Sequence, residues 1–145
     1  VQTCALPIYS LKILDKKAGE TNTVIFLEPL NRYQDHMINT LAAARSIIEE
    51  GKFQNVKLIA DAYHMNIDED NMFQSLIDNK DMVKHIHIAE NHRFQPGSGS
   101  MDFKKLFKTL KDINYDGYVV YECRIRGENP EKEYQKSLEY LKSCE

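Results

Sequence analysis

The sequence predicts an α/β fold built from four parallel strand–helix units. Two observations carry this expectation. Four short apolar runs are rich in β-branched and aromatic residues, which suits strands. Each run is followed by a segment whose apolar residues recur at helical spacing.

The strands are expected at Val24–Leu27, Val56–Ala60, Val83–Ala89 and Tyr118–Tyr121. Their near-continuous hydrophobicity fits parallel strands covered by helices. After the first strand, Met37, Ile38, Leu41, Ala44, Ile47 and Ile48 mark one helix, with Gly51 as its left-handed stop. Met72, Phe73, Leu76 and Ile77 mark the second, and Phe103, Leu106, Phe107 and Leu110 the third. Tyr134, Leu138 and Leu141 share a face of the fourth. Leu11–Leu14 read as the tail of a helix upstream, and the acidic run Asp68-Glu69-Asp70 as a solvated helix start.

The strands recur about every 30 residues, close to the roughly 31 per unit of an eight-unit closed barrel. An open doubly wound sheet has the same local pattern, so the polar residues must decide. Each strand ends in a residue able to bind a metal: Glu28, Asp61, His87 and Glu122. In a barrel, parallel strand ends converge on the face that carries the active site. The expected fold is therefore the C-terminal half of a (β/α)₈ TIM barrel over residues 9–145. Residues 1–8, VQTCALPI, read as the translation of a sequencing-library adapter and are set aside as non-native.

Singly, each strand-end residue has a plainer reading. Glu28 can be a loop carboxylate, Asp61 a helix cap, His85 or His87 a hydrogen-bonded core histidine, and Glu122 an exposed side chain. Four successive strand ends make a shared site the better reading. Three carboxylates and an imidazole repel one another without a cation. An oxygen-rich set with one imidazole and no thiolate favours Mn²⁺, Mg²⁺ or Co²⁺ over structural Zn²⁺, with Mn²⁺ the first choice. His64 and Arg93 lie nearby in sequence and can donate to substrate oxygens. The Pro96-Gly97-Ser98-Gly99 run reads as a turn, and His36 and His92 as surface residues.

The net charge of −3 argues against a nucleic-acid partner, whose binding faces are basic. No apolar run reaches membrane-spanning length, so no membrane partner is expected. Cys4, Cys123 and Cys144 are odd in number and form no zinc or redox motif, which suggests free thiols and a cytoplasmic setting.

Four segments resemble motifs of the sugar phosphate isomerase/epimerase superfamily, on a xylose isomerase-like barrel. They are Leu27-Glu28-Pro29-Leu30-Asn31-Arg32, Asp61-Ala62-Tyr63-His64-Met65-Asn66, His85-Ile86-His87-Ile88-Ala89-Glu90 and Arg93–Gly99. The resemblance runs from Thr23 to Glu122 and lies nearest the D-tagatose/D-psicose 3-epimerase branch. It implies that Glu28, Asp61, His87 and Glu122 bind the metal, that Glu28 and Glu122 also exchange protons with substrate, and that His64 and Arg93 hold the sugar. Strands one to four of such a barrel are absent, so this chain alone is expected to be inactive. The substrate is a small sugar, phosphorylated or not, and the parent is allowed to be a homo-oligomer. An inosose-dehydratase-like lyase shares the fold and metal logic. An endonuclease IV-like repair hydrolase shares the barrel but needs more histidines and a basic face.

Overall fold

The computed structural model describes residues 5–145. The elements run α1 Ala5–Thr21, β1 Ile25–Leu27, α2 Leu41–Gly51, β2 Val56–Asp61, α3 Ala62–Asp68, α4 Met72–Asp78, β3 Val83–Ile88, α5 Phe103–Asp112, β4 Tyr118–Tyr121 and α6 Pro130–Lys142. The strands form one sheet in the order β1-β2-β3-β4, and every pairing is parallel. Sequential parallel strands joined by helices are the expected half of a closed barrel. Of the segment set aside as non-native, Val1–Cys4 lie outside the described residues and Ala5–Ile8 open α1.

Alternation along the strands divides the sheet into two faces. Val56, Leu58 and Ala60 of β2 and Ile86 and Ile88 of β3 are buried in one core with Leu41, Ala44, Ile47 and Ile48 of α2, Leu76 of α4, and Phe103, Leu106 and Leu110 of α5. The opposite face carries Phe26, Ile59, His85, Tyr118 and Val120, and it is open: Tyr118 is 78% exposed. That is the face a complete barrel turns inward.

Several local expectations need correction. α1 extends to Thr21, well past Leu14. Val24 precedes β1. Met37 and Ile38 lie before α2, which starts at Leu41 because Thr40 caps it, its side chain accepting from the Ala43 N–H at 3.2 Å. The left-handed residue closing α2 is Lys52 (φ 53°), and Gly51 belongs to the helix. Gly51 is needed for another reason: Phe53 folds back over it, and a Cβ there would run into the phenyl ring. α3 has no counterpart among the expected helices, since seven residues beginning at Ala62 carry too short a period to read. The acidic run is not a solvated helix start. Asp68 ends α3 and accepts from the Arg32 backbone N–H (2.8 Å) and Nε (2.7 Å), while Glu69 accepts from the Leu41 N–H (2.8 Å) at the start of α2. On α6, only Leu141 of the expected stripe is buried; Tyr134 and Leu138 are exposed.

Candidate metal centre

Parallel register brings the strand ends level. Asp61 pairs with His87, and the Glu122 N–H donates to the Ile88 carbonyl at 3.1 Å, extending the β3–β4 ladder by one residue. Glu28 follows directly on β1. Each of these four side chains offers a ligand atom, and all four atoms lie within 4.8 Å of one another. His87 Nδ1 stands 3.6 Å from Glu28 Oε1 and 3.4 Å from Glu122 Oε2. The four residues singled out in the sequence are thus in one place.

The donor set fits a divalent cation on three counts. It is three carboxylates and one imidazole, the ligand chemistry of Mn²⁺, Co²⁺ or Mg²⁺. Like charges about 4 Å apart repel by about 4 kcal/mol even at an effective dielectric near 20. Finally, Glu28 Oε1, Asp61 Oδ2 and His87 Nδ1 are buried without a hydrogen-bond partner among the described residues, and all three face the cluster. Buried polar atoms are almost always paired, so three such atoms converging on one point are well placed to ligate a cation.

Asp61 is the helix cap that one of its sequence readings named, and its second oxygen faces the cluster. Its Oδ1 accepts from the Tyr63 N–H at 2.7 Å and caps α3, leaving Oδ2 for the cluster. The cap thereby fixes the carboxylate's rotation. His85 lies one layer deeper on the same sheet face, its ring 4.9 Å from that of His87 and 5.5 Å from Phe26. It is neither a ligand nor a core histidine on the helical side. His36 is exposed as expected; His92 is half-buried, packed edge-on against Phe94.

His64 and Arg93 join the same site. His64, on α3, is 1% exposed, and its Nε2 lies 3.7 Å from Asp61 Oδ2 and 3.9 Å from Glu28 Oε1. Arg93 reaches in from the loop after β3. Its Nη2 donates to Glu122 Oε2 at 2.6 Å, and its guanidinium lies over the Tyr63 ring at 4.6 Å. Arg93 takes a left-handed backbone (φ 62°), which costs an L-residue about 1–2 kcal/mol. Three backbone bonds hold it there: Arg93 N–H to Glu90 O (2.8 Å), Glu90 N–H to Phe94 O (2.9 Å) and Arg124 N–H to Arg93 O (2.8 Å).

Burial shapes the protonation of the site. It raises the pKa of Glu28 above the ordinary carboxylate value, helped by the nearby charge of Glu122 and opposed by His87 and Arg93. Burial likewise raises Glu122, with Asp61 adding to it and Arg93 opposing. His64 is pushed down to about 4, first by burial and then by Arg93, so it is neutral near pH 7.

Two residues without a role in the sequence reading now have one. Asn31 is fully buried against His64. Glu90 is buried and accepts from the Gly97 N–H (2.8 Å) and the Met101 N–H (3.0 Å), shaping the loop that presents Arg93. Both stood within recognised motifs, but their partners lie too far along the chain for any local period to reveal.

The half-barrel, with four possible metal ligands gathered at its strand ends, fits a barrel of the xylose isomerase type. The comparisons agree: the family described as xylose isomerase-like TIM barrel matches residues 2–144, and the chain belongs to it. The 3-dehydro-D-guloside 4-epimerase of Escherichia coli (strain K12) is 58% identical over 135 residues, covering 93% of this chain and 52% of that protein. The ketose 3-epimerase of Arthrobacter globiformis is 40% identical over 106 residues, covering 73% and 37% respectively. Among solved structures, the apo form of an E. coli 3-keto-D-glucoside 4-epimerase superposes with a TM-score of 0.92 at 57% identity, covering 94% of this chain and 52% of that one. The chain thus spans about half, or less, of the length of these relatives. Among the described residues no helix is long and apolar enough to cross a membrane.

Proposed function

We propose that the full-length protein carrying this segment is a divalent-metal-dependent epimerase of keto sugars. Its reaction moves a proton at the carbon beside a ketone. The observation that carries this reading is the convergence of Glu28, Asp61, His87 and Glu122 with three orphaned buried atoms. The names of the three relatives described above support the substrate class, since each is an epimerase of a keto sugar or keto glycoside. The strong likeness to a 4-epimerase of a 3-keto glycoside makes that class the first to test.

Glu28, Asp61, His87 and Glu122 would hold the ion, with Mn²⁺ proposed and Co²⁺ or Mg²⁺ accepted by the same donors. A bound ion supplies Lewis-acid stabilisation of the negative charge that develops on substrate oxygens. Glu28 and Glu122 approach His87 from the two outer strands. One takes the proton from the carbon beside the carbonyl, and the other returns one to the opposite face. His64 and Arg93 hold the sugar through hydrogen bonds to its oxygens.

The test is turnover of a 3-keto glucoside and of a ketohexose in deuterated water by the metal-loaded full-length enzyme. Epimer carrying deuterium at the inverted carbon supports the reading. No epimerisation of either substrate with Mn²⁺, Co²⁺ or Mg²⁺ contradicts it.

A further inference from the structure

We propose that Asn31 is a positioning residue that fixes the imidazole of His64 as its Nε2–H tautomer, so that His64 and Arg93 present adjacent donors to one acceptor oxygen of the substrate. The ligand's identity, a sugar hydroxyl or carbonyl oxygen, rests on the epimerase reading; the tautomer does not.

Asn31 sits on the loop after β1 and is fully buried. Its backbone N–H points at His64 Nδ1 from 3.1 Å. Its side-chain Oδ1 accepts from the Tyr33 N–H at 3.0 Å, which settles the amide's orientation. The remaining amide nitrogen therefore faces His64 Nδ1, at 2.8 Å. Two donors converge on Nδ1, and a hydrogen there would collide with both. Nδ1 must offer its lone pair, so the ring hydrogen belongs on Nε2.

Nε2 is the nitrogen that faces the metal cluster. Arg93 Nη1 lies 3.0 Å from it. A neutral imidazole accepts at one nitrogen only, and Asn31 has used it. With the hydrogen on Nε2, the 3.0 Å contact sets two donors against each other, an opposition relieved only if both turn to a shared acceptor. An oxygen lying against both would satisfy both hydrogens, whereas a cationic group would meet two donors. The loop is anchored for this purpose: Arg32, the next residue, bonds Asp68 through its backbone N–H and Nε, tying the loop to the end of the helix that carries His64.

The experiment uses full-length enzyme labelled with ¹⁵N-histidine and loaded with diamagnetic Mg²⁺. The expected spectrum shows His64 with a hydrogen on Nε2 and none on Nδ1. Asn31→Asp replaces the side-chain donor by an acceptor of the same shape. It should move the hydrogen towards Nδ1 and lower kcat/KM on the keto sugar by about 10–100-fold, the range found for groups that orient a working histidine. Its metal content should match the wild type. Asn31→Ser keeps the backbone donor and should shift the tautomer and kcat/KM less. A wild-type His64 carrying its hydrogen on Nδ1 would overturn the proposal without any variant. So would an Asn31→Asp enzyme that folds and keeps both the Nε2–H signal and full activity. The expected tautomer and its shift, in an enzyme that turns over no keto sugar, would uphold the positioning role and refute the epimerase reading instead.

Discussion

Two neighbouring buried carboxylates show how this chain separates structure from chemistry. Glu90 is 1% exposed, and both its oxygens accept backbone N–H groups of its own loop. Asp61 is equally buried, yet it spends one oxygen on a helix cap and leaves the other unpartnered, facing Glu28, His87 and Glu122. Burial is the same; satisfaction is not. A carboxylate completed by its own chain is an architectural part, and one with a free oxygen beside three other metal-type ligands is placed to bind a cation.

That contrast can be broken in a graded way. The largest effect is expected at the unsatisfied cluster. In the full-length enzyme, Glu28→Gln or Glu122→Gln should lower kcat by about 10³-fold, within the range for loss of a general acid or base. Near-normal turnover in either variant would end the two-glutamate account. Glu90→Gln should act on stability instead. It turns a donor towards a backbone N–H and should cost about 2 kcal/mol in urea unfolding, while metal content per folded molecule stays unchanged. A smaller cost is expected from Gly97→Ala in the same loop. Gly97 has φ 90° and its Cβ would press on Tyr140, so about 1 kcal/mol of unfolding stability should go.

The smallest effect sharpens the comparison through pH. Burial raises the pKa of Glu122 in the folded chain, so the charged form is penalised there. The associated stabilisation is present below the unfolded value near 4.5 and is lost as pH rises through the raised folded value. In chelator, Glu122→Gln should therefore be more stable than wild type near pH 7, and the advantage should vanish below about pH 4.5. Thermal melts across that range measure it. A constant difference at all pH values would place the effect in packing rather than charge.

The strands and the four proposed ligands were legible because both are local signals. Apolar runs such as Val56–Ala60 are contiguous; Glu28, Asp61 and Glu122 sit one step beyond a run, and His87 near the end of one. The errors arose where a residue answers to distant partners. One exception is local: Lys52 rather than Gly51 takes the left-handed turn, and Phe53 folds back over Gly51 at the helix end. Asp68 and Glu69 serve Arg32 and the α2 terminus, some 30 residues away, rather than starting a helix. The roles of Asn31 and Glu90 likewise depend on contacts across the fold. Tyr134 and Leu138 keep a helical spacing but stay exposed, because spacing alone does not say what a face packs against.

Metal stoichiometry tests the central claim most directly. Full-length protein, stripped with chelator and titrated with Mn²⁺, should bind one ion per chain at this site. Asp61→Asn retains the oxygen that caps α3, so it should fold normally yet lose that ion. Unchanged Mn²⁺ binding by a folded Asp61→Asn protein, or none by the wild type, would contradict the account.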